Sequence, residues 1–73
     1  MEIDFDQAIP VEGIAQEYDL VAARRCECQG RFRVTVQRLL FHADRPYDLL
    51  EAVCQQCGRR ERFLFDIGSF FGR

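Results

Sequence analysis

Four cysteines are the sequence feature that most limits what this chain can fold into. They form two close pairs separated by 25 residues: Cys26 and Cys28, then Cys54 and Cys57, with Gly58 directly after. A chain of 73 residues builds only a small core and often needs a disulfide, a metal or a partner. Four thiolates can close a tetrahedral zinc site, and such a closed set is typical of structural zinc. We therefore predict one structural Zn²⁺ bound by all four cysteines.

The segment between the two pairs has the pattern of a hairpin that would bring them together. Residues 32–41 begin with alternating apolar and polar side chains, which predicts a strand. Residues 43–46 contain Asp and Pro and suit a turn. Residues 47–53 would return as a second strand, although their sequence also suits a helix. Gly58 and Gly30 are expected to allow a positive φ, so that backbone N–H groups point at thiolate sulfur.

The remaining segments are predicted to be mostly extended. Strands or arms are expected over residues 2–9, 18–25 and 59–67, and a loop or one helical turn over residues 11–17. In the last strand, every second residue from Phe63 to Ile67 is apolar, so one face is expected to be buried. The sequence therefore predicts a small all-β fold of three to five antiparallel strands, with room for one short helix and the metal at one end.

The second cysteine pair and the strand after it carry a family resemblance. Residues 54–65 resemble the second knuckle of the zinc-ribbon family, and residues 18–36 resemble the first knuckle with its flanking strands. The resemblance implies a metal-stapled antiparallel sheet that binds nucleic acid or protein. It divides the chain into an acidic arm or edge strand (1–17), a zinc-ribbon domain (18–67) and an apolar tail (68–73). The first pair departs from the family pattern, because it has one spacer residue instead of two.

A second resemblance concerns the spacing of the cysteines. Together with Gly58 and residues 65–67, this spacing is similar to the zinc switch of redox-regulated bacterial heat-shock chaperones. The thiolates of that switch release zinc and form disulfides on oxidation. The strands predicted between the pairs differ from that mainly helical switch. Disulfides, a thioredoxin-type site at Cys54 and Cys57, and bound iron or an iron–sulfur cluster are further alternatives.

Other features of the chain indicate a cytoplasmic protein without a catalytic site. The acidic N-terminus lacks the basic start and apolar segment of a secretory signal, and no apolar run reaches about 18 residues. In a reducing compartment, cysteine pairs more often bind metal than bond to each other. His42 is the only histidine and is expected to end a strand. We find no nucleophile–base pair in the sequence and predict that the protein is not an enzyme.

Arginines near the cysteine pairs are candidates for nucleic-acid binding. They are Arg24, Arg25, Arg31, Arg33, Arg59, Arg60 and Arg62. These side chains could bind phosphates, or they could offset the charge of a dianionic zinc–thiolate centre. The formal charge of the chain is −2, which four zinc-bound thiolates would lower to about −4. This charge favours a protein partner over nucleic acid.

Aromatic residues give the second set of candidates. Phe70 and Phe71 near the C-terminus could bind a partner or a second copy, or could curl back as a helical turn on their own sheet. Phe32 and Phe63 could stack on bases, but their alternation favours the core. The acidic arm could add as an edge strand to another protein. We therefore predict a protein–protein interaction module, with nucleic-acid binding and a thiol redox switch as alternatives.

Overall fold

One mixed sheet and one helix make up the fold of the described residues. A computed structural model describes residues 3–72, so the parts of the predicted arm and tail at Met1, Glu2 and Arg73 lie outside the described residues. The elements are a 3₁₀ turn at Phe5–Gln7, β1 (Ile9–Pro10), α1 (Ile14–Ala23), β2 (Phe32–His42), β3 (Arg45–Cys54) and β4 (Arg60–Asp66). The sheet order is β1-β4-β3-β2. The predicted small, mostly β fold with one short helix is confirmed.

The β2–β3 hairpin joins the two cysteine pairs, as predicted. Its turn contains only Ala43 and Asp44, whose positive φ values of 50° and 63° fit a two-residue hairpin turn. The predicted turn was two residues too long, because Arg45 and Pro46 already belong to β3. At the open end, Phe32 pairs with Cys54. The strand predicted over residues 47–53 is therefore confirmed, and the helical alternative for it was wrong.

Two further sequence predictions about strands need correction. Residues 2–9 do not form one strand, since Phe5–Gln7 is a 3₁₀ turn and only the short β1 reaches the sheet. β1 also pairs with β4 in parallel, whereas the other two pairings are antiparallel as expected. The last strand is confirmed as β4.

The strand predicted over residues 18–25 was wrong, because residues 14–23 form helix α1. Good helix formers, including three alanines, fill this segment, and its apolar residues do not alternate. A helix places Glu17 and Val21, four residues apart, on one face, and both are buried. The helix also runs across the predicted boundary between residues 17 and 18. Among residues 3–72, no helix is long and apolar enough to cross a membrane.

The core lies between one face of the sheet and helix α1 with the first cysteine pair. It contains Val11, Val21, Cys26, Phe32, Leu50, Ala52, Cys54, Phe63, Phe65 and Ile67. Phe32 and Phe63 pack edge to face with ring centroids 5.9 Å apart, which confirms their core role. On the opposite face, Phe5 stacks on His42 at 4.1 Å, and His42 ends β2 as predicted.

Candidate metal centre and adjoining surfaces

The four cysteine thiols converge at one end of the sheet. Cys26 and Cys28 lie in the loop between α1 and β2, Cys54 ends β3, and Cys57 lies in the turn before β4. Their Sγ atoms all lie within 4.8 Å of one another, with Cys26–Cys57 at 3.6 Å and Cys28–Cys54 at 3.4 Å. Zn–S bonds of about 2.3 Å in a tetrahedron place sulfurs about 3.8 Å apart. The cluster can therefore hold a metal ion.

The first cysteine pair lies on a tight turn. The Cys26 N–H donates to the Gly30 carbonyl at 3.0 Å, and the Gln29 N–H donates to the Cys26 carbonyl at 2.8 Å. The positive φ of this turn, 72°, is at Gln29, so its expected place at Gly30 was wrong. Gly30 is needed for another reason. A Cβ on Gly30 would lie 2.5 Å from the Cys54 sulfur and 3.2 Å from the Cys28 sulfur.

The second pair lies on a turn that closes β3 onto β4. The Cys54 N–H donates to the Arg59 carbonyl at 2.8 Å, and the Gly58 N–H donates to the Cys54 carbonyl at 3.0 Å. Gly58 has the predicted positive φ, 80°. The N–H groups of Gln56 and Cys57 point at the Cys54 sulfur, at 3.4 and 3.5 Å. This turn therefore presents N–H groups to a thiolate, as the position of Gly58 predicted.

Hydrogen bonds also connect the two turns directly. The Gln55 N–H donates to the Arg31 carbonyl at 2.8 Å, and the Gln56 side-chain amide donates to the Cys28 carbonyl at 3.3 Å. One backbone and one side-chain hydrogen bond thus hold the turn with the first pair against the end of the hairpin.

The turns affect the acidity of two thiols in opposite directions. The Cys57 backbone N–H, helped by the Gln56 N–H and neighbouring thiols, lowers the pKa of Cys54 to about 6 despite its burial. The Gly30 backbone lowers the pKa of Cys28, but the Cys54 thiol, burial and the other two thiols together raise it to about 12. Four close sulfurs cannot all ionise easily without a cation, because their negative charges repel one another. A bound metal ion would remove this obstacle to ionisation.

The seven predicted arginines differ in their ion pairing. All seven are exposed, and Arg59 makes ion pairs with Glu27 at 3.4 Å and Glu61 at 3.2 Å. Within residues 3–72, the other six make no ion pair. The register places Arg33, Arg60 and Arg62 on the sheet face opposite the core. Nucleic-acid binding by these residues stays a prediction.

The end of the sheet away from the thiols carries exposed apolar side chains. Phe41 is 62% exposed, Leu39 49% and Ile14 56%, and Phe71 contacts Phe41 with ring centroids 5.6 Å apart. We call these four residues the apolar strip. The predicted pair at the C-terminus is divided, because Phe70 packs against the core and Phe71 stays 42% exposed. The tail curls as a turn, with the Phe71 N–H donating to the Ile67 carbonyl at 2.9 Å.

Two buried acids beside the apolar strip were missed by the sequence analysis. Glu17 is fully buried and Asp48 is 4% exposed. The Gln37 side-chain amide donates to Asp48 at 2.7 Å, whereas neither carboxyl oxygen of Glu17 has a hydrogen-bond partner among the described residues. Burial, followed by the neighbouring Asp48, raises the pKa of Glu17 to about 8. The signals were available: Asp48 lies two residues before Leu50, on the same face of β3, and Glu17 precedes Val21 by four residues on one face of the helix.

Comparison of the chain with protein families, with curated proteins and with solved structures gave no match. The interpretation of the cluster and of the surfaces around it therefore rests on this chain's own residues.

Proposed function

We propose that this chain is a non-catalytic zinc module, related in design to zinc ribbons, that binds another protein. The observation that carries the proposal is that the two ends of the long strands carry different groups. Four thiols within 4.8 Å of one another close one end, and large apolar side chains stay exposed at the other end. The first end supplies stability, and the second supplies a surface for a partner.

Zinc is the ion that best suits the donor set. Four cysteine sulfurs are soft ligands, and the sulfur spacing fits tetrahedral coordination. Because the two turns bring their ligands from distant parts of the chain, the free energy of metal binding becomes folding free energy. Cys57 is exposed, whereas Cys26 and Cys54 are buried. The ion would therefore lie near the surface, with the buried cysteines between it and the core.

The partner surface is the apolar strip together with the outer edge of β2. β2 is the last strand of the sheet, and its 11 residues offer an edge to which another strand can add. Leu39 and Phe41 lie on the core face of the sheet by their register, but they remain 49% and 62% exposed. Clustered apolar side chains of this size beside an open edge are typical of protein-binding surfaces.

The zinc and the partner surface are tested separately. Protein purified under reducing conditions is expected to contain one zinc per chain by elemental analysis, and Co²⁺ loading is expected to give the absorption of a tetrahedral tetrathiolate.

For the partner, the tagged chain is purified from its native cell as wild type and as Leu39→Ser with Phe41→Ser. One stoichiometric partner is expected to bind the wild type even at high salt and to be absent from the variant.

A matched control keeps the partner test specific. Val36 is 38% exposed but pairs with Glu51 on the other face of the sheet, so Val36→Ser is expected to retain the partner. If both variants retain the same proteins, or if the wild type captures nothing in stoichiometric amount, the protein-binding function is refuted.

One observation favours nucleic-acid binding as a second candidate. Three arginines without ion pairs among the described residues, Arg33, Arg60 and Arg62, share the open sheet face with Val53 between the first two. Phosphate contacts make affinity fall steeply with salt, by about 0.9 in the log–log slope per contact on duplex DNA. Arg60→Ala with Arg62→Ala is expected to reduce that slope by about two, whereas Arg45→Ala, at the other end of the hairpin, leaves it unchanged.

A further inference from the structure

A groove opens beside the apolar strip, between helix α1 and the tail that follows β4. It has a volume of about 330 Å³. We call it the acidic groove; the residues that line it include Ile14, Glu17, Gln37, Leu39, Asp48 and Phe71. Its residues come from the helix, from two strands and from the tail, so the groove exists only in the folded chain.

The polar side of the acidic groove lacks donors. Gln37 supplies one hydrogen bond to Asp48, and its own oxygen accepts from the Tyr18 hydroxyl at 3.1 Å. Glu17 is fully buried, and both of its carboxyl oxygens lack a hydrogen-bond partner within residues 3–72. A buried carboxyl without donors is costly, because it has lost its water without replacement. Within the described part of the chain, residues 3–72, the residues that line the groove include two acids and no basic residue.

The other walls are apolar and partly aromatic. Ile14, Leu39 and Phe71 remain exposed around the opening, and Phe41 contacts the ring of Phe71. Such walls suit an aliphatic stem that carries a cation at its end. Aromatic faces favour a planar guanidinium in particular, and a carboxyl with two unpaired oxygens can accept two parallel N–H donors from it.

From this geometry we propose that the acidic groove receives an arginine side chain of the partner protein, presented between apolar residues that pack on the apolar strip. The inference rests on the proposed protein-binding function and names the chemistry of the partner. Glu17 and Asp48 are buried in the free chain, so the guanidinium reaches them only as the exposed Leu39 and Phe71 side chains move apart. It then donates to both carboxyls, and its stem packs between Leu39 and Phe71. The site thereby gains the donors that the folded chain does not supply.

Protonation of Glu17 is expected to make the binding affinity of this site depend on pH. Burial, together with the neighbouring Asp48 carboxyl, raises the pKa of Glu17 to about 8, so near neutral pH Glu17 keeps its proton. Among residues 3–72, Glu17 and Asp48 are the only titratable side chains that line the groove; the described lining residues from β2 and from the tail are neutral. A guanidinium that binds there displaces the proton to solvent. Affinity is therefore expected to rise with pH up to about pH 8.

The test uses a defined probe, a phage-displayed library of random peptides selected on the immobilised zinc-loaded chain. Enriched peptides are expected to share an arginine flanked by apolar residues. In synthetic copies, replacing that arginine with citrulline is expected to weaken binding about ten- to hundredfold, and replacing it with lysine to weaken it less. Glu17→Gln is expected to weaken binding similarly and to remove its pH dependence.

Asp19→Asn is the matched control, because Asp19 lies on the same helix and is exposed. It is expected to leave binding unchanged. The proposal is overturned if no peptide is enriched, if the peptides lack a basic residue, or if citrulline or Glu17→Gln has no effect. Self-association that Glu17→Gln abolishes would also overturn it, since the arginine would then come from a second copy.

The two proposals fail differently. If peptides or native partners require Leu39 and Phe41 but tolerate citrulline, the arginine site is wrong and the protein-binding function stands. If nothing depends on the apolar strip in either experiment, the protein-binding function itself is wrong.

Discussion

At the scale of single residues, the proposed metal centre is expected to depend on a glycine as much as on the four cysteines. Gly30 lies where a Cβ would approach the Cys54 sulfur to 2.5 Å and the Gln56 side chain to 2.8 Å. Gly30→Ala would therefore push one turn away from the other. Overpacking of this kind costs about 1–3 kcal/mol, so we expect zinc affinity to fall by about ten- to hundredfold, measured by competition with a chelator.

Gly13→Ala is the control for this prediction. Gly13 precedes helix α1 in an extended conformation, and nothing lies within 4 Å of an added Cβ. The variant is expected to keep its zinc affinity and to lose at most about 1 kcal/mol of helix stability. Equal zinc affinities for the two alanine variants would show that Gly30 does not limit the approach of the sulfurs.

The sequence predicted the four cysteines as ligands because the chemistry lies in their type and spacing, which need no knowledge of the fold. The role of Gly30 could not be predicted in the same way. Its constraint comes from a sulfur that lies 24 residues later in the chain, and only the register of Phe32 with Cys54 brings the two together. The sequence correctly indicated a glycine with a special role there but gave the wrong cause.

At the scale of elements, the contact between helix α1 and the sheet is expected to depend on pH. Burial, together with Asp48, raises the pKa of Glu17 from 4.5 to about 8 in the folded state. Between these values, the folded chain keeps a proton that the unfolded chain has released. The free energy of unfolding therefore falls as pH rises, by about 1.4 kcal/mol per pH unit for this group, and is fully reduced above about pH 8.

Glu17→Gln isolates this effect, because the variant keeps every other titrating group, including the thiols. The amide can donate to Asp48 and does not ionise. We expect the stability of the variant relative to wild type to grow from about pH 6 to about pH 8, measured by urea unfolding of the zinc-loaded proteins. Parallel stability curves for the two proteins would show that Glu17 does not retain its proton in the folded state.

The hairpin and the helix differ in how far sequence could predict them. Alternation in β2 is a local signal, and the turn residues after it agree with it, so the hairpin was predicted correctly. Helix α1 has only ten residues and a narrow buried face of Glu17 and Val21. An acid on the buried face weakens the amphipathic pattern that identifies a helix. Glu17, which weakens the sequence pattern of the helix, is also one of the two acids in the acidic groove.

At the scale of the whole molecule, removal of the metal is expected to unfold the chain. Within residues 3–72 the core is small: ten buried residues form one cluster, which includes Cys26 and Cys54, and Cys28 packs against it. A core of this size supplies only about 3–5 kcal/mol, whereas structural zinc in small domains contributes about 10 kcal/mol or more. The loop that carries the first cysteine pair also connects α1 to β2, so its release would loosen the helix.

We therefore expect a strong chelator, under reducing conditions, to abolish cooperative thermal unfolding and most of the strand signal in circular dichroism, and equimolar Zn²⁺ to restore both. Cys54→Ser is expected to resemble the chelated protein, because Cys54 is buried and contacts the N–H groups of its own turn. Cys57→Ser is expected to lose less, because Cys57 is exposed and three thiols with water can still bind zinc. A chelated protein that still melts cooperatively would mean that the two turns hold together through Gln55, Gln56 and the core alone, without an ion between the sulfurs.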